Sequence, residues 1–240
     1  MRSREEFERE FPSFFNIMAS ARDLGRLICL DKPADSIANF GCGEGLETLA
    51  LMHAAASVEG VGIDIDGEKV LKGTRTLEAL KCAALSVAHG VMCHGEEYHE
   101  WWRDLVPDCV KGLVLNQIPE GPAYGVRESS VTFIQADITQ PVCIASDHFD
   151  LVYCKSVLYQ VVCDHGALAL QRAVDEMTRV AVPGGCVVAV EPLSCSPERP
   201  EPLDFAHFFE RAGLHRCQTD RKAIRDEGEV RTYRYGKPPA

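Results

Sequence analysis

The residues best able to do chemistry stand early in the chain, in Asn39-Phe-Gly41-Cys42-Gly43-Glu-Gly45. Three glycines in five positions permit a tight turn and let backbone N–H groups approach a ligand closely. A segment at helical spacing follows, and its unpaired first-turn donors and positive dipole end favour a carboxylate, a phosphate or a polar nucleoside tail. Nineteen residues beyond Gly45, Val61-Gly-Ile-Asp64-Ile65-Asp66 ends a β-rich run in an acid. A carboxylate at that place can accept from both hydroxyls of a ribose. A further acid, Asp137, follows the next such run in Phe133-Ile-Gln-Ala-Asp137-Ile138. The first half of the chain therefore reads as a site for an adenosine-like ligand. The spacing is G-x-G-x-G, not the G-x-G-x-x-G/A of dinucleotide folds, which argues against a nicotinamide dehydrogenase.

Short β-rich apolar runs alternate with longer helical stretches, as expected of parallel strands joined by crossover helices. Strands are predicted over 36–40, 58–63, 131–135, 149–154 and 186–191, each near-continuously apolar and so suited to a sheet covered on both faces. Helices are predicted over 46–56, 67–85 and 165–180, the last with Leu168, Leu170, Ala173, Val174 and Met177 on one stripe and Pro183-Gly184-Gly185 as its stop. Beyond the fifth strand, 204–212 reads as a short helix carrying Phe205, Phe208 and Phe209, with Gly213 at its end. Strands over 214–224 and 229–235 around Asp226-Glu-Gly228 then read as an antiparallel hairpin. Two segments break the alternation. Residues 1–31 form an amphipathic preface rich in Phe, with Pro12 dividing two helices. The connection from Asp64 to Val131 is too long for one crossover, so residues 93–130 read as an insertion, holding Trp101, Trp102 and the Gly/Pro-rich Pro119–Gly125 stretch.

The glycine turn, the two acids, Phe149-Asp-Leu-Val-Tyr-Cys154 and Val182-Pro-Gly-Gly185, in this order, resemble the class I S-adenosylmethionine-dependent methyltransferases. The resemblance runs from about Ser36 to Tyr235 and implies an α/β fold: a Rossmann-like, seven-stranded, mostly parallel sheet with an antiparallel last strand and helices on both faces, within a single domain over 1–240. It also implies S-adenosyl-L-methionine as cofactor. Gly41, Cys42, Gly43 and Gly45 would line its methionine moiety, Asp64 would hold the ribose hydroxyls, and Ile65 would pack on the adenine. Asp137 would accept from the adenine amino group with Ile138 beside the ring, and Cys154 and Lys155 would border the sulfonium. The chain departs from the family at Asn39, where an acid is usual; an amide there adds no charge toward the cofactor ammonium.

Methyl transfer from a sulfonium is an in-line displacement in which the protein chiefly aligns the partners and excludes water, and a general base is needed only for an acceptor proton that must leave early. Tyr159, just after the fourth strand, could steer an acceptor by its hydroxyl, and Glu191, ending the fifth, could orient an amine or deprotonate a hydroxyl; these are the two catalytic candidates. Each has a packing or capping alternative. Ser156, His165, His148, and His94 or His99 of the insertion are lesser candidates. Cys82, Cys93, His94, His99 and Cys109 lack the short C-x(2–4)-C pairs of structural zinc sites, so no metal is expected. Tyr98, Trp101, Trp102, Leu105 and Val106 are expected to form a small apolar core or a lid.

The chain has 240 residues, 46% of them apolar and 25% charged, enough for a core without disulfides and unlike a disordered or repetitive protein. Its 11 scattered cysteines, an odd number without a C-x-x-C pair, read as reduced thiols. The start shows no signal-peptide pattern and no run approaches a bilayer-spanning length, so a cytoplasmic protein without a membrane partner is expected. A net charge of −11 opposes non-specific nucleic-acid binding, although residues 211–240 carry 8 Lys/Arg against 4 Asp/Glu, a net of +4 that reads as a solvated face. The expected activity is methyl transfer to a small-molecule acceptor, by a chain that is compatible with a homo-oligomer. The rivals are a protein methyltransferase that docks its partner on the insertion and a non-catalytic cofactor-binding subunit, which the Asn39 departure favours.

Overall fold

The computed structural model describes residues 4–28, 30, 33–94, 96–118, 125–192, 204–224 and 228–239. Elements follow in the order α1 (Arg4–Glu10), α2 (Pro12–Ile28), β1 (Ser36–Phe40), α3 (Leu46–Ala55), β2 (Glu59–Asp64), α4 (Gly67–His94), α5 (Glu96–Asp104), α6 (Asp108–Gly112), a 3₁₀ turn (Leu115–Gln117) and β3 (Ser130–Gln135). Then come β4 (Phe149–Lys155), α7 (Leu158–Val180), β5 (Ala181–Pro192), α8 (Ala206–Arg211), β6 (His215–Ile224) and β7 (Gly228–Gly236). The seven strands form one sheet in the order β3-β2-β1-β4-β5-β7-β6. β4 runs parallel to β1 and β5, whereas β7 is antiparallel to both β5 and β6. This is the seven-stranded, mostly parallel arrangement expected, with its antiparallel last strand. The hairpin residues Asp226 and Glu227, the stretch from Pro119 to Tyr124, and Cys195 lie outside the described residues.

By packing, the chain divides into two compact units. The first comprises residues 1–35, 42–62 and 67–134. In it α2 turns Phe14, Ile17, Ala21, Leu24 and Ile28, spaced at helical period, against α3. Pro12 opens α2 one residue after α1 ends, as its fixed φ and missing N–H allow at a first helical turn. The insertion holds α5 and α6 and contributes to the core: Trp101 and Trp102 are buried, and the Trp101 ring lies 4.9 Å from both Phe7 and Tyr98. Cys109, fully enclosed, donates to the Leu49 carbonyl at 3.4 Å.

The second unit comprises residues 36–41, 63–66 and 135–240. β1, β4 and β5 are its hydrophobic centre, with Ile37, Phe40, Leu151, Val152, Val187 and Val188 all inaccessible. α7 packs on β4 and β5 through Leu170, Ala173, Val174, Met177 and Val180. Phe209 of α8 stacks on Tyr235 at 4.8 Å, and Phe205 meets Tyr233 edge-on at 5.7 Å.

Three boundaries and one burial differ most from expectation. α4 continues nine residues past the predicted end, and within the extension Gly90 gives way to the Tyr98 ring. α7 starts at Leu158, not at 165; the two stretches meet at Gly166, whose φ of 81° breaks the helical geometry. Leu168, placed on the buried stripe by its spacing, is exposed. β5 starts at Ala181, since Phe149 pairs with Ala181 and Leu151 with Cys186, so that Pro183-Gly184-Gly185 forms a bulge within the strand.

Candidate active site

Within the second unit, five strand ends come into line. The Gly41 N–H donates to the Ile63 carbonyl at 2.7 Å, and the Ala136 N–H to the Asp64 carbonyl at 3.0 Å. Phe40 pairs with Cys154 and Lys155 with Val190, while the Ser156 N–H donates to the Val190 carbonyl at 2.8 Å. Backbone pairing thus carries Gly41, Asp64, Asp137, Lys155 and Glu191 to neighbouring strand ends on the carboxyl edge, where open α/β sheets bind ligands.

The acids at these ends are held by local turns. Asp64, 8% exposed, accepts the Asp66 N–H on Oδ1 at 3.0 Å. Asp137 accepts the Thr139 N–H at 2.9 Å and its hydroxyl at 2.8 Å, also on Oδ1. Such self-capped turns fix each carboxylate's direction before a ligand arrives. Next to Asp64, Ile65 is 62% exposed, an apolar side chain in water that a base can cover, and Ile138 is buried beside Asp137. Asn39 is fully buried on β1. Cys154 is buried and Lys155 half-buried.

Gly41 has φ 76°, in the left-handed region, and a side chain there would run into the methyl groups of Val157. Cys42, Gly43 and Gly45 belong to the first unit. Gly43 has φ 54°, with nothing within 4 Å of where its Cβ would be, so space is left above it. Gly45, φ 83°, caps α3 and gives way to the Phe133 ring. The same ring lies over Gly62, whose Cβ would also come within 2.9 Å of the Cys42 sulfur. Phe133 was not among the predicted residues. The signal for it was Gly62 inside a strand, since glycine within a strand marks a close approach. Val157 carried no such signal.

Glu191 is fully buried. Its Oε1 accepts the N–H groups of Val157 (3.2 Å) and Leu158 (3.0 Å), and its Oε2 that of Tyr159 (3.2 Å); the Cys154 thiol adds a weak contact at 3.9 Å. Burial pushes the carboxyl up to about 7, against the downward pull of these donors. The geometry makes Glu191 the cap of a helix, not a group facing an acceptor. Tyr159 is half-buried in the first turn of that helix.

The lesser candidates scatter. Ser156 is exposed, with φ 56°; His165 is exposed near Gly166; His99 is exposed on α5; and the His94 side chain lies outside the described ones. His148 stands at the opposite, amino end of β4, edge-on to Phe149. Among the described residues no group of three or more His, Cys, Asp or Glu is placed to hold a metal.

Residues 114–189 match the family described as "Methyltransferase domain". No curated protein matches the sequence. Among solved structures, the N-methyltransferase NodS from Bradyrhizobium japonicum WM9, in complex with S-adenosyl-L-homocysteine, is similar at a TM-score of 0.58 and 13% identity, over 92% of this chain and 86% of that one. A SAM-dependent methyltransferase from Methanosarcina mazei is similar at 0.55 and 14%, over 88% and 95%. These likenesses bear on the fold, and the sequence match bears on the family. The fold is the one those methyltransferase structures share, and the family match covers residues 114–189. The exposed Ile65 beside the oriented Asp64 carboxylate and the side-chain-free turn at Gly41 fit the S-adenosylmethionine that the resemblance implies.

Proposed function

We propose that the chain transfers a methyl group to a small-molecule acceptor, working as one methyltransferase domain over 1–240 with its preface at 1–31 and its insertion at 93–130. When bound, S-adenosylmethionine supplies an electrophilic methyl on a sulfonium. The resemblance assigns Gly41, Cys42, Gly43 and Gly45 to the methionine end, and Asn39 contributes polarity without charge. Asp64 accepts from the ribose hydroxyls, Ile65 packs on the base with Ile138 beside it, and Asp137 accepts from its amino group. Cys154 and Lys155 border the sulfur, and Tyr159 steers the acceptor. The observation that carries this reading is the alignment of the Gly41, Asp64 and Ala136–Asp137 strand ends by two backbone hydrogen bonds, 2.7 and 3.0 Å long.

A small acceptor is favoured over a protein because the two tryptophans of the insertion are spent inside the first unit. Trp101 and Trp102 are 7% and 4% exposed, so neither is offered to a partner. The net negative charge disfavours nucleic acid, and no described helix is long and apolar enough to cross a membrane. The nine described cysteines are free thiols, which supports a reducing, cytoplasmic setting.

The test uses methyl-labelled cofactor with a metabolite panel and, separately, with protein extract. Label in a small product is the expected result, and label only in macromolecules overturns the small-acceptor reading. Titration with S-adenosylhomocysteine that shows binding, while no acceptor class takes label, would point instead to a regulatory subunit.

A further inference from the structure

α7 begins without a cap of its own. Val157, the residue before its first turn, has no side-chain oxygen, yet the first N–H groups of a helix have no partner within it. One carboxylate from another strand meets the need: Glu191, at the end of β5, accepts from Val157, Leu158 and Tyr159 together. The connection it holds is tight. Ser156, a non-glycine residue, takes φ 56° to turn the chain from β4 into α7, and Val157 comes out of that turn against Gly41. We infer that Glu191 is a positioning residue of the transfer site: its carboxylate fixes the 156–159 turn, and through it the contact of Val157 with Gly41 and the place of Tyr159. The inference rests on the proposed reading of Gly41 as part of the cofactor turn.

The device is proton-linked. An ionised carboxylate only accepts, and here both oxygens are occupied by donors. A proton added to Oε2 makes that oxygen a hydroxyl, an uncharged and weaker acceptor for the Tyr159 N–H, so the first turn loosens. Burial brings this event to about pH 7. The surrounding ionisable groups are accounted for. Cys154 on β4 donates to Oε1, and Lys155 pairs with Val190 along the backbone. From β7, Arg231 is the cross-strand partner of Glu191, and its guanidinium lies 3.4 Å from both the Asp204 carboxylate and the Tyr233 hydroxyl. From α7, Tyr159 is bonded through its N–H.

The test is amide hydrogen exchange of residues 157–159 in the ligand-free full chain from pH 5.5 to 8.5, corrected for intrinsic rates, with the S-adenosylhomocysteine dissociation constant measured at each pH. In the wild type, protection is expected to rise about tenfold through pH 7, with affinity following. Glu191→Gln, whose amide offers one acceptor and one donor, is expected to hold both quantities at the acid-side value across the range. A flat wild-type profile overturns the inference without needing any variant, as does a Glu191→Gln profile that titrates like the wild type. Protection that titrates in a chain that never binds S-adenosylhomocysteine refutes the cofactor reading alone, and tight binding at every pH with flat protection refutes the positioning role alone.

Discussion

A γ-methyl of Val157 occupies the space into which any side chain at Gly41 would grow. Two penalties therefore meet at one residue: a left-handed φ of 76°, and a collision with the start of α7. Gly41→Ala is expected to cost roughly 2–4 kcal/mol of stability, the sum of a left-handed alanine and an overpacked contact. Urea unfolding measures it, and an unchanged midpoint would contradict the packing.

Gly43 is the control. It shares the left-handed backbone, φ 54°, but nothing lies within 4 Å of its Cβ position. Gly43→Ala should cost only about 1 kcal/mol of stability. If a ligand fills that space, its affinity for S-adenosylhomocysteine should fall far more, by at least tenfold in titration calorimetry.

Substitution can separate the turn that Asp64 holds from its proposed contact with the ribose. Asp64→Asn keeps an oxygen for the Asp66 N–H, 3.0 Å away, but loses the charge. The expected loss in cofactor affinity is roughly 1.5–3 kcal/mol at near-native stability. Asp64→Ala should lose the same affinity and, in addition, about 1 kcal/mol of stability. Equal binding by all three proteins would move the ribose elsewhere.

Acid sensitivity should be traceable to Glu176. Burial alone would raise its carboxyl, but the Arg179 guanidinium at 2.6 Å and the Val142 N–H at 2.7 Å together hold it below the ordinary value. The folded chain therefore binds this proton less tightly than the unfolded one. The stability so gained is present above about pH 4.5 and is lost as the pH falls through the depressed value. Glu176→Gln should destabilise by about 2 kcal/mol at neutral pH and flatten the acid limb of the stability curve.

Thiol reactivity should sort by burial. Burial pushes the Cys109 thiol up to about 12, and Cys42 and Cys154 are likewise enclosed, whereas Cys82, Cys93, Cys143 and Cys217 are exposed. Iodoacetamide at pH 8 should label those four in the native chain and reach Cys42, Cys109 and Cys154 only after unfolding, as mass spectrometry of peptides would show.

Much of this was legible in the residues. β1, β4 and β5 are covered on both faces, so their apolar runs needed no alternation to be recognised. Gly41 and Asp64 were visible because turn geometry and carboxylate chemistry each demand a particular residue type. Less legible were features that depend on a distant neighbour. Pro183-Gly184-Gly185 reads as a helix stop ahead of the fifth strand until the pairing of Phe149 with Ala181 makes it a bulge within that strand.

The sequence by itself determined the layer architecture, the order of the chemically able residues and the kind of ligand they suit, because periodicity, glycine turns and strand-end acids are local properties. Only the tertiary structure decided what Glu191 does. An acid ending a strand looks the same whether it faces an acceptor or caps a helix. The difference lies in three N–H groups more than thirty residues away in the chain, brought within 3.2 Å by the pairing of β4 with β5.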